Sequence, residues 1–226
     1  MKLTKANLIK EVRDGLIKLS YKEFKDSITG ADGLFIKRID HDFFLTIGMN
    51  KSRLYDWGFT AELYLSKCTI WGAVWGDIPG GSYVRVGTFL TKEQRLLYLD
   101  SEYQILDGDA WWQADRDGDF QKFFETLKIM EEHLLNQGEL LRKIDSSIEV
   151  RELVDQATAV FKILDNGTSD EIDYKFIPKK EIDGIPMVWF KAAEMVLMKE
   201  GYILNKNTVN RLAADAWRQK KMREVE

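Results

Sequence analysis

Cysteine, histidine and proline are scarce in this chain, which has one cysteine (Cys68), two histidines and three prolines among 226 residues. A single cysteine excludes an intramolecular disulfide and is typical of proteins in a reducing compartment. No uninterrupted apolar run approaches the roughly 18–20 residues that a membrane-spanning helix requires. With 45% hydrophobic residues, the composition is that of a globular chain. We therefore expect a soluble, cytoplasmic protein without a membrane span.

Charge is distributed unevenly along the chain, whose formal net charge is −4. Residues 100–119 contain seven acidic residues and one arginine, so this segment carries a charge of −6. Residues 211–223 contain five basic residues and one aspartate and carry +4. Such segments are solvated surface in most proteins, but they also steer partners of opposite charge.

Residues 34–91 have the pattern of an antiparallel sheet. The segment 59–65 alternates, with Phe59, Ala61 and Leu63 on one face and polar side chains on the other, which is typical of a strand with one buried side. Further strands are predicted at 34–39, 43–47, 69–75 and 83–89. Their short connections favour antiparallel neighbours, because parallel strands need a long crossover. We predict a meander of four or five strands.

Helices are predicted on both sides of this meander. Hydrophobic spacings of three and four indicate helices at 5–24, 91–99, 120–134, 146–164, 186–200 and 208–223. Asp119 and Asn207 are the predicted caps of the third and last helices. A short strand is predicted at 174–177. The fold class is α+β, with a sheet domain at 1–145 and a helical C-terminal extension at 146–226 that could pack on it as one unit.

The chain resembles a bacterial family known only as a domain of unknown function. The resemblance is carried by residues 50–53, residues 59–63, the pair Trp111 and Trp112, and the amphipathic helix that comes after this pair, and it covers roughly residues 5–150. It implies an N-terminal helix, an antiparallel meander and a closing helix. It also implies a small interaction protein of a family with members encoded near toxin systems, and it brings no catalytic residues.

The alternating carboxylates of Asp115, Asp117 and Asp119 suggest calcium, since oxygen ligands can converge on a hard cation. An EF-hand loop starting at Asp115 needs glycine at position six and glutamate at position twelve, where this chain has Phe120 and Thr126. The segment is better explained as an acidic loop before a helix. The glycines at 80 and 81 lack the Gly-Lys-Ser/Thr ending of a phosphate loop. We predict no metal site and no cofactor.

The scarce nucleophiles and bases do not form a catalytic pattern. His41 lies between two aspartates on a predicted turn, His133 lies on a helix beside its apolar stripe, and Cys68 has no thiol-enzyme signature around it. These three residues also lack the paired spacing of a zinc site. A non-enzymatic protein is therefore favoured.

Tryptophan is the more informative residue, because it is enriched at interface hot spots and is also common in cores. Neighbouring residues on a strand face opposite ways, so Trp111 and Trp112 cannot both be core residues of a one-sided sheet. We predict that this pair is exposed and binds a basic protein partner. The candidate partner-binding residues are Trp57, Trp111, Trp112, Asp107, Asp109, Asp115 and Asp117.

The leading hypothesis is thus a non-enzymatic protein-binding module, of inhibitor or immunity type. One alternative is a small-ligand binder or enzyme with a pocket at the sheet edge, near His41, Trp57 and the acidic loop. A second alternative is nucleic-acid binding through the last helix, with Asn210, Arg211 and Arg218 as contacts. The acidic net charge and the six-residue turn before that helix argue against this second alternative.

Overall fold

A computed structural model of the chain describes residues 2–28, 30–39, 43–66, 82–99, 110–136, 148–165 and 181–224. Several predictions lie outside these residues: the strands at 69–75 and 174–177 and the site candidates His41, Cys68, Asp107 and Asp109.

The described chain contains an antiparallel sheet, which confirms the predicted α+β class. Five strands follow one another in the order of the sequence, and a short sixth strand pairs with the fourth. All pairings are antiparallel. The strands are β1 (Lys22–Phe24), β2 (Gly33–Arg38), β3 (Phe44–Lys51), β4 (Gly58–Ser66), β5 (Ser82–Arg85) and β6 (Trp112–Gln113).

Six helices and a small hairpin complete the described architecture. The hairpin pairs β7 (Glu181–Ile182) with β8 (Ile185–Pro186), and its two turn residues, Asp183 and Gly184, both have positive φ, as a tight two-residue turn requires. The helices are α1 (Lys5–Lys18), α2 (Lys92–Tyr98), α3 (Asp119–Asn136), α4 (Ile148–Asp165), α5 (Met187–Lys199) and α6 (Lys206–Arg223).

Two predicted helix boundaries are wrong. The first helix ends at Lys18 rather than at residue 24, because Ser20 adopts a left-handed conformation (φ 69°) and the residues after it pair with β2. The last helix begins at Lys206 and is capped by Asn205 rather than Asn207. By contrast, the side chains of Thr91 and Gln94 form the reciprocal capping box that their spacing predicts for α2.

Both faces of the sheet are buried, so the prediction of a one-sided sheet is wrong. One face carries Phe35, Ile47 and Leu63 and packs against α1 and α3. On the other face, Thr60 and Tyr64 are each only 1% exposed. The C-terminal helices reach this second face, where Trp217 packs edge-on against Phe24 at 5.9 Å between ring centroids.

A buried ion pair also joins the C-terminal helices to the sheet. Arg218 on α6 donates to Asp26, which comes after β1, at 2.9 Å. The β7–β8 hairpin makes a second connection, because Asp183 accepts hydrogen bonds from the backbone N–H and the hydroxyl of Ser27. The predicted division into residues 1–145 and 146–226 stays a prediction, because its boundary falls within residues 137–147. No helix in the described ranges is both long and apolar enough to cross a membrane.

Candidate functional site

A surface groove of about 620 Å³ lies between α1 and the turn that joins β6 to α3. Its apolar lining residues are buried or half-buried and form the floor: Leu3, Trp57, Ala114 and Phe120. Its polar lining residues are mostly exposed and form two rims. The rim on α1 consists of Asn7, Lys10 and Glu11. The rim on the turn consists of Asp115, Arg116, Asp117, Gly118 and, at the start of α3, Gln121.

The turn that forms the second rim is held at both ends. At its start, the backbone N–H of Ala114 donates to the carbonyl of Trp57 at 2.9 Å. At its end, the carboxylate of Asp119 accepts from the backbone N–H of Gln113 at 2.7 Å and is buried. Asp119 is the first residue of α3 and not the cap residue before it, as the sequence predicted. Its carboxylate ties β6 to that helix. The turn that carries the exposed carboxylates of Asp115 and Asp117 is thus fixed at both of its ends.

An aromatic cluster supports the floor of the groove from below. Phe120 stacks on Phe59 of β4 at 4.9 Å between ring centroids. Phe59 in turn meets Phe123 edge-on at 5.6 Å. Because Phe59 and Phe123 are fully buried, Phe120 is fixed from the core side while one part of its ring faces the groove.

Trp112 belongs to this core, so its predicted exposure is wrong. The side chain is inaccessible to solvent, lies edge-on to Phe123 at 5.2 Å, and donates from Nε1 to the carbonyl of Tyr98 at 3.0 Å. Of two neighbours on a strand only one can face the α1 and α3 side of the sheet, and here it is Trp112, which pairs with Phe59 of β4. Its ring is enclosed by β4, α2 and α3.

Trp111 is half-buried and lies outside the groove. The guanidinium of Arg85 lies over its ring, with 5.8 Å between the guanidinium carbon and the ring centroid. Arg85 is also within 3.5 Å of the carboxylate of Glu62. One face of the Trp111 ring is therefore already in contact with a cation of the same chain, which leaves Trp57 as the tryptophan of the groove.

The loop between β3 and β4 adjoins the groove through Trp57, which is a lining residue. Ser52 Oγ accepts from the backbone N–H groups of Leu54 and Tyr55 at 3.1 and 2.9 Å. The carbonyl of Asp56 accepts from the backbone N–H of Leu3 at 2.7 Å, and its carboxylate pairs with Lys2 at 3.1 Å. The loop is thus anchored at both ends. Its Leu54 side chain is 86% exposed.

The structure brings together three of the predicted partner-binding residues, Trp57, Asp115 and Asp117, around one groove. It also supplies residues that sequence analysis did not select: Leu3, Asn7, Lys10 and Glu11 of the N-terminal segment, and Leu54 of the β3–β4 loop. Leu54 carried no signal, since apolar side chains scattered singly over a surface are normal. The α1 residues carried none, because polar side chains on the outer face of an amphipathic helix look like ordinary surface.

Of the three nucleic-acid candidates on α6, one is fully buried and two are half-buried. The side chain of Arg218 is 0% exposed and is paired with Asp26, so the prediction that it faces nucleic acid is wrong. Arg211 is half-buried, and burial lowers the pKa of its guanidinium against the opposing effect of Asp215 and Asp26. Asn210 is half-buried as well.

Histidine and metal chemistry find little support in the described residues. His133 stacks on Phe89 at 4.1 Å between ring centroids, away from the groove. Within the described ranges, no three histidine, cysteine, aspartate or glutamate side chains are placed to hold a metal ion. Of the residues predicted to surround a pocket, Trp57, Asp115 and Asp117 line the groove. His41 lies outside the described residues.

Comparisons of the chain with models of protein families, with curated proteins and with solved structures gave no match. The resemblance to a bacterial family of unknown function stays a prediction. A functional assignment for this chain therefore rests on the geometry of the groove.

Proposed function

We propose that this chain is a non-enzymatic protein-binding module, of inhibitor or immunity type, and that the groove receives a partner segment with apolar and basic side chains. The observation that carries the proposal is the convergence of Trp57, Asp115 and Asp117 on one groove with an apolar floor. The tryptophan and the two aspartates are far apart in sequence, so the fold itself creates the combination.

The layout of the groove supports a protein partner. Protein interfaces have an apolar, well-packed centre surrounded by a polar rim that stays in contact with water. Here Trp57 and Phe120 are half-buried in the floor, and the exposed charged side chains form the rims. Tryptophan is among the residues whose truncation costs most binding energy, because one ring removes a large area from water.

The charge of the turn supports a basic segment as the occupant. Asp115 and Asp117 are exposed on the same rim, and Glu11 adds a third carboxylate from α1. Lys10 and Arg116 on the same rims reduce the net negative charge of the groove. The carboxylates are therefore expected to orient a bound basic segment more than to attract it over a distance. Complementary charge of this kind raises the association rate and excludes partners of the wrong charge.

The titratable groups of the groove favour binding over catalysis. Those that line it are Lys10, Glu11, Asp115, Arg116 and Asp117, and each of them is exposed to water. Catalytic acids and bases are usually buried in a cleft beside a specific charged neighbour. An exposed carboxylate beside an apolar floor is well suited to recognition.

Site-specific photo-cross-linking tests the proposal. A photoreactive residue at Gln121, on the rim, is expected to capture one defined protein in cells of the source organism, and capture is expected to fail in a Trp57→Ala/Asp115→Asn/Asp117→Asn background. The same residue at exposed Lys162, on α4, serves as the matched control. Equal capture from both positions, or capture that survives the triple substitution, would contradict the proposal.

The volume of the groove also favours a second candidate, a small-ligand binder at the same place. Pockets for small molecules typically measure about 300–1,000 Å³, and this groove lies within that range. A fragment screen followed by NMR separates the two candidates. Small molecules that shift Trp57 and Phe120 resonances and that no protein partner displaces would favour the ligand binder.

A further inference from the structure

We infer that the β3–β4 loop of a second copy of this chain docks into the groove, so that two copies form a symmetric dimer that covers both grooves. The inference rests on the groove of the proposed function and names an occupant for it. The loop carries the side chains that such a groove receives: Arg53 and Leu54 are both exposed, next to one another at the tip.

The chemistry of the loop matches that of the groove. The floor of the groove includes the half-buried side chains of Trp57 and Phe120, and Leu54 is an apolar side chain that is 86% exposed. The carboxylates of Asp115 and Asp117 stand on the rim, and Arg53 supplies a guanidinium beside Leu54. Arginine pairs with carboxylates through two parallel hydrogen bonds and covers apolar surface with its stem.

The loop is organised for docking before it meets a partner. Its first residues are fixed by the hydroxyl of Ser52, which accepts from two backbone N–H groups, and Ser52 itself donates its backbone N–H to the carbonyl of Gly58 at 2.7 Å. Its last residues are fixed by the bond between Leu3 and Asp56. Holding a binding loop in one conformation reduces the entropy lost on association. The exposed leucine is therefore presented on a loop that is held at both ends before any partner binds.

The position of the loop makes the contact reciprocal. Trp57, the last residue of the loop, lines the groove, and the bond from Leu3 ties the loop to another lining residue. The projection and the groove therefore adjoin one another in one molecule. A two-fold axis can bring adjoining surfaces of this kind against their own copies, so that each copy inserts its loop into the other and the assembly closes at two.

The dimer also limits access of a partner to the groove. A partner segment and the loop of a second copy would occupy the same groove, so each excludes the other. The dimer is then the form in which the apolar floor is covered when no partner is bound, and partner binding is expected to weaken as the concentration of the chain rises.

Sedimentation equilibrium over a wide concentration range tests the inference. We expect the unmodified chain to dimerise reversibly and Leu54→Asp to weaken the dimer by about tenfold or more. Ile203→Asp is the matched control, since Ile203 is 89% exposed and lies in the turn between α5 and α6. It is expected to leave the dimer unchanged. A chain that is monomeric at every concentration, or a dimer that Leu54→Asp does not weaken, would overturn the inference.

Charge reversal provides a second test that does not depend on a substitution of Leu54. Arg53→Glu is expected to weaken the dimer, and adding Asp115→Arg and Asp117→Arg to the same chain is expected to restore it. Failure of this restoration would overturn the assignment of loop to groove. A monomeric chain that still cross-links a partner from Gln121 would overturn the dimer and leave the proposed function in place. A dimer that depends on Leu54, with no partner captured from Gln121, would support the dimer and overturn the proposed function.

Discussion

The guanidinium of Arg218 donates to the carboxylate of Asp26 at 2.9 Å, and this bond joins two residues that are 192 positions apart. Their side chains are 0% and 1% exposed. Two further nitrogens of Arg218, Nε and Nη1, are buried and have no hydrogen-bond partner within the described chain. The bond connects α6 to the segment after β1, so the C-terminal helices and the sheet share a buried charge pair.

We predict that Asp26→Ala destabilises the fold by about 3–5 kcal/mol, because it leaves the buried Arg218 cation without its carboxylate. Urea denaturation measures the change in the free energy of unfolding. The double variant Asp26→Leu/Arg218→Met is expected to recover most of that loss, since apolar residues often replace a buried pair without cost. Glu194→Gln, which removes an exposed pair with Lys191, is the control and is expected to change stability by less than about 1 kcal/mol. A small effect of Asp26→Ala would contradict the prediction.

A second buried group makes stability depend on pH. The hydroxyl of Tyr21 donates to Glu131 at 2.6 Å, and Lys37 donates to the other oxygen of that carboxylate at 2.7 Å. Burial, followed by the charge of Glu131, raises the pKa of Tyr21 well above its usual 10.0. Because the folded state holds this proton more tightly than the unfolded chain, the contribution is complete below pH 10.0 and is lost as pH rises above it.

The test compares the unmodified chain with Tyr21→Phe in urea at increasing pH. At neutral pH, Tyr21→Phe is expected to cost about 1.5–3 kcal/mol, the usual worth of a hydrogen bond to a charged group. Above pH 10.0 the difference between the two proteins is expected to shrink, because only the unmodified chain loses this contribution. Denaturation curves that stay equally far apart across this range would contradict the prediction.

The two adjacent tryptophans are expected to respond differently to truncation. Trp112→Ala removes a fully buried ring from the aromatic cluster and should cost about 3–5 kcal/mol of stability. Trp111→Ala removes a half-buried ring and should cost clearly less. Thermal and urea unfolding of the two single variants measure this contrast. Similar losses for both would show that Trp111 is part of the core as well.

Truncation in the groove should affect binding more than folding. Trp57→Ala is expected to weaken the affinity for the cross-linked partner by about 2 kcal/mol or more, roughly thirtyfold. Titration calorimetry measures the affinity, and thermal unfolding confirms that the variant is folded. If the partner binds in the groove, it contacts the exposed part of the Trp57 ring. An unchanged affinity would therefore contradict the proposal.

The acidic rim is expected to act mainly on the association rate. Asp115→Asn/Asp117→Asn should slow association with a basic partner and reduce its dependence on salt, since exposed charges steer encounter more than they hold the complex. Stopped-flow measurements at several salt concentrations provide the rates. Asp165→Asn/Glu200→Gln, two exposed acids outside the groove, is the control. Equal slowing by both pairs would indicate an effect of net charge alone.

The sequence by itself determined the local elements of this protein. Alternation of Phe59, Ala61, Leu63 and Leu65 marks β4, and the spacing of Thr91 and Gln94 marks the start of α2, because side-chain periodicity and capping depend on neighbours within a few residues. Short connections between strands were enough to predict an antiparallel order.

Only the tertiary structure decided which surfaces are covered. Thr60 and Tyr64 are polar positions in the alternation of β4, yet both are buried: Tyr64 packs with the C-terminal helices and Thr60 donates to the carbonyl of Ala110. Arg218 is buried and paired with Asp26, which is 192 positions away. The groove likewise depends on long-range packing, since it combines Leu3, Trp57 and Asp115 from three separate segments. Burial depends on which elements pack against one another in the tertiary structure, and a local sequence pattern does not specify these long-range contacts.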